Sequence, residues 1–280
     1  MRASAGAVPY PAKRLGAWAA VLAATAVVVA GGLFWIRRAE ERARCTRGGA
    51  VDEACLLRGR LVARHGPKLY SQGDEELLVR DFFQDRRAGL FVDVGASHYK
   101  DGSTTFYLEE RLGWSGLAVD ANRAFAAEYA QHRPRTRFFA YFVGDHEEAA
   151  HPFFIPELAD VLASGDPDYV AKFQLHAREE RVPAVTLDGL LTREAVTHVD
   201  FLSMDIEAGE PAALAGFDVR KYTPALVCIE LQTETAPAIR RYFELNGYEE
   251  LKGYALLDSI NGYFAPRGGA RPGRGAAVAP

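Results

Sequence analysis

The sequence predicts an α/β fold, a mostly parallel sheet covered by helices on both faces and preceded by one N-terminal transmembrane helix. Apolar runs of strand length alternate with longer amphipathic segments between about residues 89 and 264, the rhythm of βαβ units. Several of those runs end in an acid followed by a turn, and a separate stretch near the N-terminus carries no charge at all. With 280 residues, 49% apolar and 25% charged, the chain can bury a sizeable core, so disorder and a disulfide-stapled miniprotein are excluded as global descriptions. A net charge of −4 gives no overall field toward nucleic acid, and no nucleic-acid partner is expected.

Residues 1–14 form a short tail. Residues 15–36, LGAWAAVLAATAVVVAGGLFWI, would reach roughly 33 Å as a helix at about 1.5 Å per residue, enough to cross a bilayer. Trp18 and Phe34-Trp35 fall where interfacial aromatics belong. A cleaved signal peptide is the competing reading, but its apolar region would be about 7–15 residues long. Arg2, Lys13 and Arg14 precede the segment, and Arg37, Arg38, Arg42, Arg44 and Arg47 follow it. That bias favours a single-pass protein with a cytoplasmic C-terminal side. Residues 37–66 read as a stem in which Cys45 and Cys55 are expected reduced, a disulfide being the alternative if the stem faces an oxidising compartment. The main domain is expected over 67–266. Residues 267–280, rich in Gly, Pro, Ala and Arg, read as a flexible basic tail.

Within the domain, strands are predicted at 89–95, 115–122, 136–145, 199–207 and 224–232, with a helix near 237–246 and a last strand in LLDSINGYFAP. In a parallel sheet of this kind ligands bind beyond the strand C-termini. The first strand ends in Asp93-Val94-Gly95-Ala96-Ser97, where Gly95 allows close backbone approach. Ser97 and Lys100 stand where G-x-G-x-x-G would have its second and third glycines, which weakens a dinucleotide reading. The second strand ends in Asp120, placed to accept ribose hydroxyls, and the third in Gly144-Asp145, placed near an adenine amine. Three acids at successive strand ends suit an adenosyl ligand that carries positive charge and no phosphate. The fourth strand ends in Ser203-Met204-Asp205-Ile206-Glu207-Ala208-Gly209-Glu210, and Glu230 closes the fifth. So many carboxylates repel unless a cation, a proton or donors meet them. A divalent metal on Asp205, Glu207 and Glu230 is the weaker alternative, and no metal is expected.

At these positions the chain resembles the FkbM-type methyltransferases. The resemblance runs over about 70–266, through Tyr70-Ser71-Gln72-Gly73-Asp74-Glu75-Glu76, Phe91-Val92-Asp93-Val94-Gly95-Ala96, Gly113-Trp114-Ser115-Gly116, Val119-Asp120-Ala121-Asn122, Val199 to Glu207, and Asp258-x-x-Asn261-x-Tyr263-Phe264-x-Pro266. It implies a Rossmann-like class I methyltransferase with a seven-stranded sheet, using S-adenosylmethionine. It implies Asp93, Gly95, Ala96 and Ser97 around the methionine moiety, Asp120 at the ribose, Asp145 near adenine, and Asp205 and Glu207 at the methyl-transfer end. One departure stands out: Ala208-Gly209 where the family has D-x-E-G-x-E. If the turn needs a positive φ directly after Glu207, Ala208 costs about 1 kcal/mol.

The resemblance implies O-methylation of a hydroxyl on a sugar, glycan or natural product. Asp205 or Glu207 is the expected base, with His98 in the loop after the first strand as a third candidate. Residues 151–183 read as an insertion that covers substrate, its Phe153, Phe154, Tyr169 and Phe173 being either sugar-stacking or packing residues. Two other readings compete: a membrane-tethered adenosyl-nucleotide-binding module without turnover, and a membrane scaffold.

Overall fold

A computed structural model describes residues 45–47, 50–157, 159–174 and 176–269. The expected membrane segment 15–36, the tail 1–14 and nearly all of the tail 267–280 lie outside them. Among the described residues no helix is long and apolar enough to cross a membrane.

The chain divides into two compact units, up to Gly59 and from Arg60 onward. In the first, β1 (Thr46–Arg47) and β2 (Ala50–Val51) form a two-residue antiparallel ladder. Cys45 and Cys55 are joined in a disulfide with their Cα atoms 5.5 Å apart, which corrects the expectation of a reduced pair. The cause is local: the tight hairpin turns the chain back, and the Asp52 main-chain N–H donates to the Cys45 carbonyl at 2.7 Å, so the two cysteines meet across a short loop.

The second unit is built on β3 (Leu90–Val94), β4 (Ser115–Val119), β5 (Thr136–Phe139), β9 (Phe201–Met204), β10 (Leu226–Glu230), β11 (Tyr248–Glu250) and β12 (Asn261–Pro266). They form one sheet in the order β11-β12-β10-β9-β3-β4-β5, parallel except that β12 runs antiparallel to both its neighbours. The mostly parallel seven-stranded expectation holds. Side chains alternate across the sheet. Val92, Val94, Leu117, Val119, Leu202, Met204, Val227 and Ile229 pack on one face with Leu190, Leu214, Ile239 and Phe243 from the helices Leu187–Arg193, Glu210–Ala215 and Ala236–Leu245. On the other face Phe201 meets Phe83 of the helix Glu75–Phe83, and Ala118 packs with Tyr129 of the helix Ala126–His132. Burial on both faces explains why these strands read as continuous apolar runs.

The chain winds outward from β3 to β4 and β5, then returns to the other side of β3 with β9 and β10, so the switch point lies between β3 and β9. The expected single strand 136–145 is corrected. β5 ends at Phe139, and β6 (Phe142–Gly144) joins a separate three-stranded sheet with β7 (Glu148–Pro156) and β8 (Ala177–Thr186), in the order β6-β8-β7. The expected insertion is this sheet together with the short helix Pro167–Ala171.

Ser71-Gln72-Gly73-Asp74-Glu75-Glu76 builds the entry to the helix Glu75–Phe83. The Ser71 hydroxyl accepts the Glu76 N–H at 3.1 Å, and the buried Glu76 carboxylate accepts from the main chain of Leu69 and Tyr70 and from Arg80. A carboxylate so placed satisfies donors that would otherwise be buried unpaired.

Candidate active site

A cleft opens at the C-terminal ends of β3, β4 and β9. Its floor is Gly95, Ser97, Asp120, Asp205 and Glu207, and its outer wall comes from the insertion through Phe142, Phe153, Asp160 and Val161. Four carboxylates line it, and no lysine, arginine or histidine does so among the described residues.

Gly95 has φ +79°, and a Cβ there would lie 1.7 Å from the Asp205 carbonyl oxygen. Its close approach is therefore to the neighbouring strand turn. Ser97 also has positive φ; its N–H donates to the Asp120 carboxylate at 2.9 Å, while its hydroxyl oxygen is buried without a partner. The Ala96 carbonyl accepts from the Tyr129 hydroxyl at 3.0 Å, which fixes the loop from beneath. Asp120 accepts a second N–H, from Asn122, at 2.8 Å. Burial outweighs these donors and lifts its pKa to about 6.

Asp93 does not line the cleft. It alternates with Val94 onto the other face of the sheet, where its buried carboxylate accepts from the Thr105 hydroxyl at 2.7 Å near Arg133. Burial raises its pKa. Asp145 also stands elsewhere. With the chain diverted at Ala140-Tyr141 into the insertion sheet, Asp145 is exposed, pairs with His146, and borders a second cavity behind Phe142. His98 lies outside the wall as well, its ring edge-on to Phe125 and its Nε2 3.6 Å from the carboxylate of Asp160.

Asp205 and Glu207 are brought together, though not as alternate residues of one strand. β9 ends at Met204; Glu207 and Ala208 then take φ +55° and +74°, so Ala208 does occupy a left-handed position. Two consecutive non-glycine residues in that region store strain of order 1–3 kcal/mol each, which the surroundings must hold in place. Asp205 is exposed to solvent, yet enough protein surrounds it to desolvate its carboxylate. That enclosure, with the charges of Glu230, Asp93, Glu75 and Asp258, pushes its pKa up to about 7. Burial likewise lifts Glu207 and Glu230 to about 7 and the fully buried Glu210 to about 8.

Asp205, Glu207 and Glu230 each bring one oxygen within 4.8 Å of the others, a donor set suited to a hard cation. Gln232 already donates to Glu230 at 2.9 Å, and Glu207 accepts from the Tyr169 hydroxyl. Tyr169, Gln232 and Asp160 are not among the catalytic or cofactor residues that the sequence suggests. The sequence offers Tyr169 only as a sugar-stacking or packing aromatic of the insertion, and nothing in the local pattern ties it to a residue 38 positions away. Phe153, one of the same aromatics, is buried in the cleft wall.

The fold is similar to several solved structures. A TehB-like SAM-dependent methyltransferase from Corynebacterium glutamicum is 15% identical, over 77% of this chain and 97% of that one, with a TM-score of 0.39. A precorrin-6y C5,15-methyltransferase from Geobacter metallireducens is 8% identical over 68% and 84%, with a TM-score of 0.38. An O-methyltransferase from Bacillus cereus, solved with SAH, is 15% identical over 76% and 87%, with a TM-score of 0.35. No curated protein matches the sequence. The model of the methyltransferase FkbM domain matches residues 93–250, more than half of the chain, and the chain belongs to the FkbM family of S-adenosylmethionine-dependent methyltransferases.

Proposed function

We propose that this methyltransferase transfers a methyl group to a hydroxyl oxygen of a small, uncharged acceptor such as a sugar, a glycan or a natural product. The observation that supports this reading is the cleft itself, which among the described residues gathers four carboxylates and no cationic side chain. Such a site favours a positively charged cofactor and offers a base to a neutral alcohol, whereas an acceptor bearing phosphate or carboxylate would be repelled.

The residues fit the cofactor on two counts. The buried Ser97 hydroxyl lacks a partner, and Asp120 retains lone pairs for further donors after accepting from Ser97 and Asn122. Gly95, Ala96 and Ser97 would hold the methionine part, with Asp120 at the ribose. When bound, S-adenosylmethionine supplies an electrophilic methyl on a sulfonium. The chain's own contribution is to align the acceptor, exclude water and take its proton. Alignment alone contributes on the order of 7–11 kcal/mol in well-oriented reactions, and a positioned base typically adds 10²–10⁴-fold. Glu207 is the base in this reading. Its pKa near 7 leaves a usable ionised fraction at neutral pH together with real basicity. Asp205, beside it, would orient the acceptor hydroxyl.

We further propose that residues 15–36 anchor the enzyme in a membrane, so that a lipid-linked or envelope glycan is the acceptor to try first. The test is incubation of membranes with methyl-labelled S-adenosylmethionine, followed by identification of the labelled product. Release of label as a methyl ether supports the proposal; an N- or C-methylated product overturns it. Binding without any S-adenosylhomocysteine release would leave only a nucleotide-binding module.

A further inference from the structure

Glu207 is held from the insertion at two points. The Ser164 hydroxyl donates to its main-chain carbonyl at 2.9 Å, and the Tyr169 hydroxyl donates to its carboxylate. The sequence Ser164-Gly165-Asp166-Pro167-Asp168-Tyr169 builds both contacts. Ser164 is bridged to Phe154 of β7 through main-chain bonds in each direction, at 2.9 and 3.1 Å. Asp166 caps the helix Pro167–Ala171 by accepting the Asp168 N–H at 2.8 Å, and Pro167 opens its first turn. That start points Tyr169 inward, where it is buried and packs edge-on with Phe173.

We propose that Tyr169 is a positioning residue of the methyl-transfer reaction: its hydroxyl fixes the Glu207 carboxylate in the cleft. The inference rests on the reading of Glu207 as the base. It explains why a glutamate in a strained left-handed conformation keeps one orientation, since the turn is clamped by a sheet that is not its own. Burial and the Glu207 charge push the Tyr169 hydroxyl well above its ordinary value, so it remains a donor throughout the working pH range. The groups facing Glu207 are Asp205 from its own turn, Glu230 and Gln232 beyond the end of β10, and Tyr169 from the insertion. Asp205 and Glu230 oppose ionisation of Glu207. Tyr169 and, at 3.5 Å, Gln232 are the donors that favour it.

The test compares wild type, Tyr169→Phe and Glu207→Gln in the full chain, with methyl transfer read from labelled cofactor on membranes and binding of S-adenosylhomocysteine by calorimetry reporting whether the cleft is intact. The inference expects Tyr169→Phe to lower the turnover rate by about 10–100-fold, the size of a small misplacement of a reacting group, with the S-adenosylmethionine KM and the S-adenosylhomocysteine affinity within about twofold of wild type. An unchanged turnover rate, or a loss that falls on KM or S-adenosylhomocysteine affinity instead, overturns the role of Tyr169 even if Glu207→Gln is inactive. Normal transfer by Glu207→Gln overturns the base assignment instead, and the positioning role falls with it. If Tyr169→Phe does not fold, Ser164→Ala removes the other half of the clamp: a fall in turnover at unchanged S-adenosylmethionine KM supports the positioning role, and wild-type turnover overturns it.

Discussion

Gly95 sits so close under Asp205 that any side chain on it would collide with the Asp205 carbonyl oxygen, at 1.7 Å for a bare Cβ. The loop that would hold the methionine part and the turn that carries Glu207 are thus packed backbone to backbone. The contact also fixes the spacing between β3 and β9 at the switch point, since the Asp205 N–H donates to the Val94 carbonyl at 2.9 Å. Gly95→Ala is expected to cost on the order of 3 kcal/mol or more, combining a left-handed φ with a clash against main chain that cannot swing away. Urea unfolding checks it. A loss below about 1 kcal/mol would mean that the turn at Asp205 is free to move.

Ala208 and Gly209 invite the opposite experiment. The left-handed φ of +74° falls on the alanine, while the glycine has an ordinary φ of −81°. Ala208→Gly should stabilise the protein by up to about 1 kcal/mol, less than the full left-handed penalty because glycine also loosens the unfolded chain. A rise in the urea midpoint at constant slope is the expected result.

The sheet was legible because parallel strands buried on both faces leave long apolar runs, as in Leu90–Val94 and Leu226–Glu230. The break after Phe139 was not. TRFFAYFVG contains no proline or internal glycine to punctuate it, and β6 leaves the main sheet only because β8, some forty residues later, offers it a partner. That hidden break carries Asp145 away from the cleft. Asp205, Glu207 and Asp120 were legible as acids at strand ends. Asp93 was not separable from them, since strand alternation turns it to the opposite face from Val94. Tyr169 and Asp160 depend on the fold of the insertion, which no local periodicity announces.

The buried acids give a pH dependence of known sign. Glu207, Glu210 and Glu230 have folded pKa values of about 7, 8 and 7, all above the ordinary 4.5. Between about pH 4.5 and pH 8 the folded state therefore holds protons that the unfolded chain has released, and stability falls as pH rises. Their contribution is fully present below about 4.5 and lost above about 8. The slope is about 1.4 kcal/mol per pH unit for each retained proton. Asp200, whose pKa is lowered although burial opposes it, by Arg86 and the Leu90 N–H, acts in the reverse sense but only at lower pH. The melting temperature of the ligand-free protein should therefore drop between about pH 5 and pH 8. Added S-adenosylmethionine should recover most of the loss at the upper end, because only the folded state binds it. A flat profile would mean that these carboxylates are solvated or already neutralised.

The disulfide makes a chemical prediction. Cys45 and Cys55 should resist alkylation until reduced, while the buried Cys228 should resist until unfolded. Closing a loop of this length contributes about 3 kcal/mol in the chain-entropy model. Peptide mapping of protein alkylated inside intact cells distinguishes a bond formed in place from one formed during isolation. A bond present in cells would put residues 45–55 in an oxidising compartment and reverse the orientation that the flanking arginines favour.

Asp120 and Asp145 can be told apart by one binding measurement. Both Asp120 oxygens accept main-chain N–H groups of the loops that line the cleft, so Asp120→Asn would set an amide N–H₂ against one of those donors and remove the charge. The expected loss in S-adenosylmethionine affinity is about 10–100-fold, the size of one to two charge-assisted hydrogen bonds. Because its pKa is lifted to about 6, the wild-type protein should lose affinity on its own as the pH drops below that value, and Asp120→Asn should lack this dependence. Asp145→Asn, at an exposed residue paired with His146 and bordering the other cavity, should bind the cofactor as wild type does. If Asp145→Asn weakened binding and Asp120→Asn did not, the adenosyl group would lie on the far side of Phe142, and the cleft at β3, β4 and β9 would have to serve the acceptor instead.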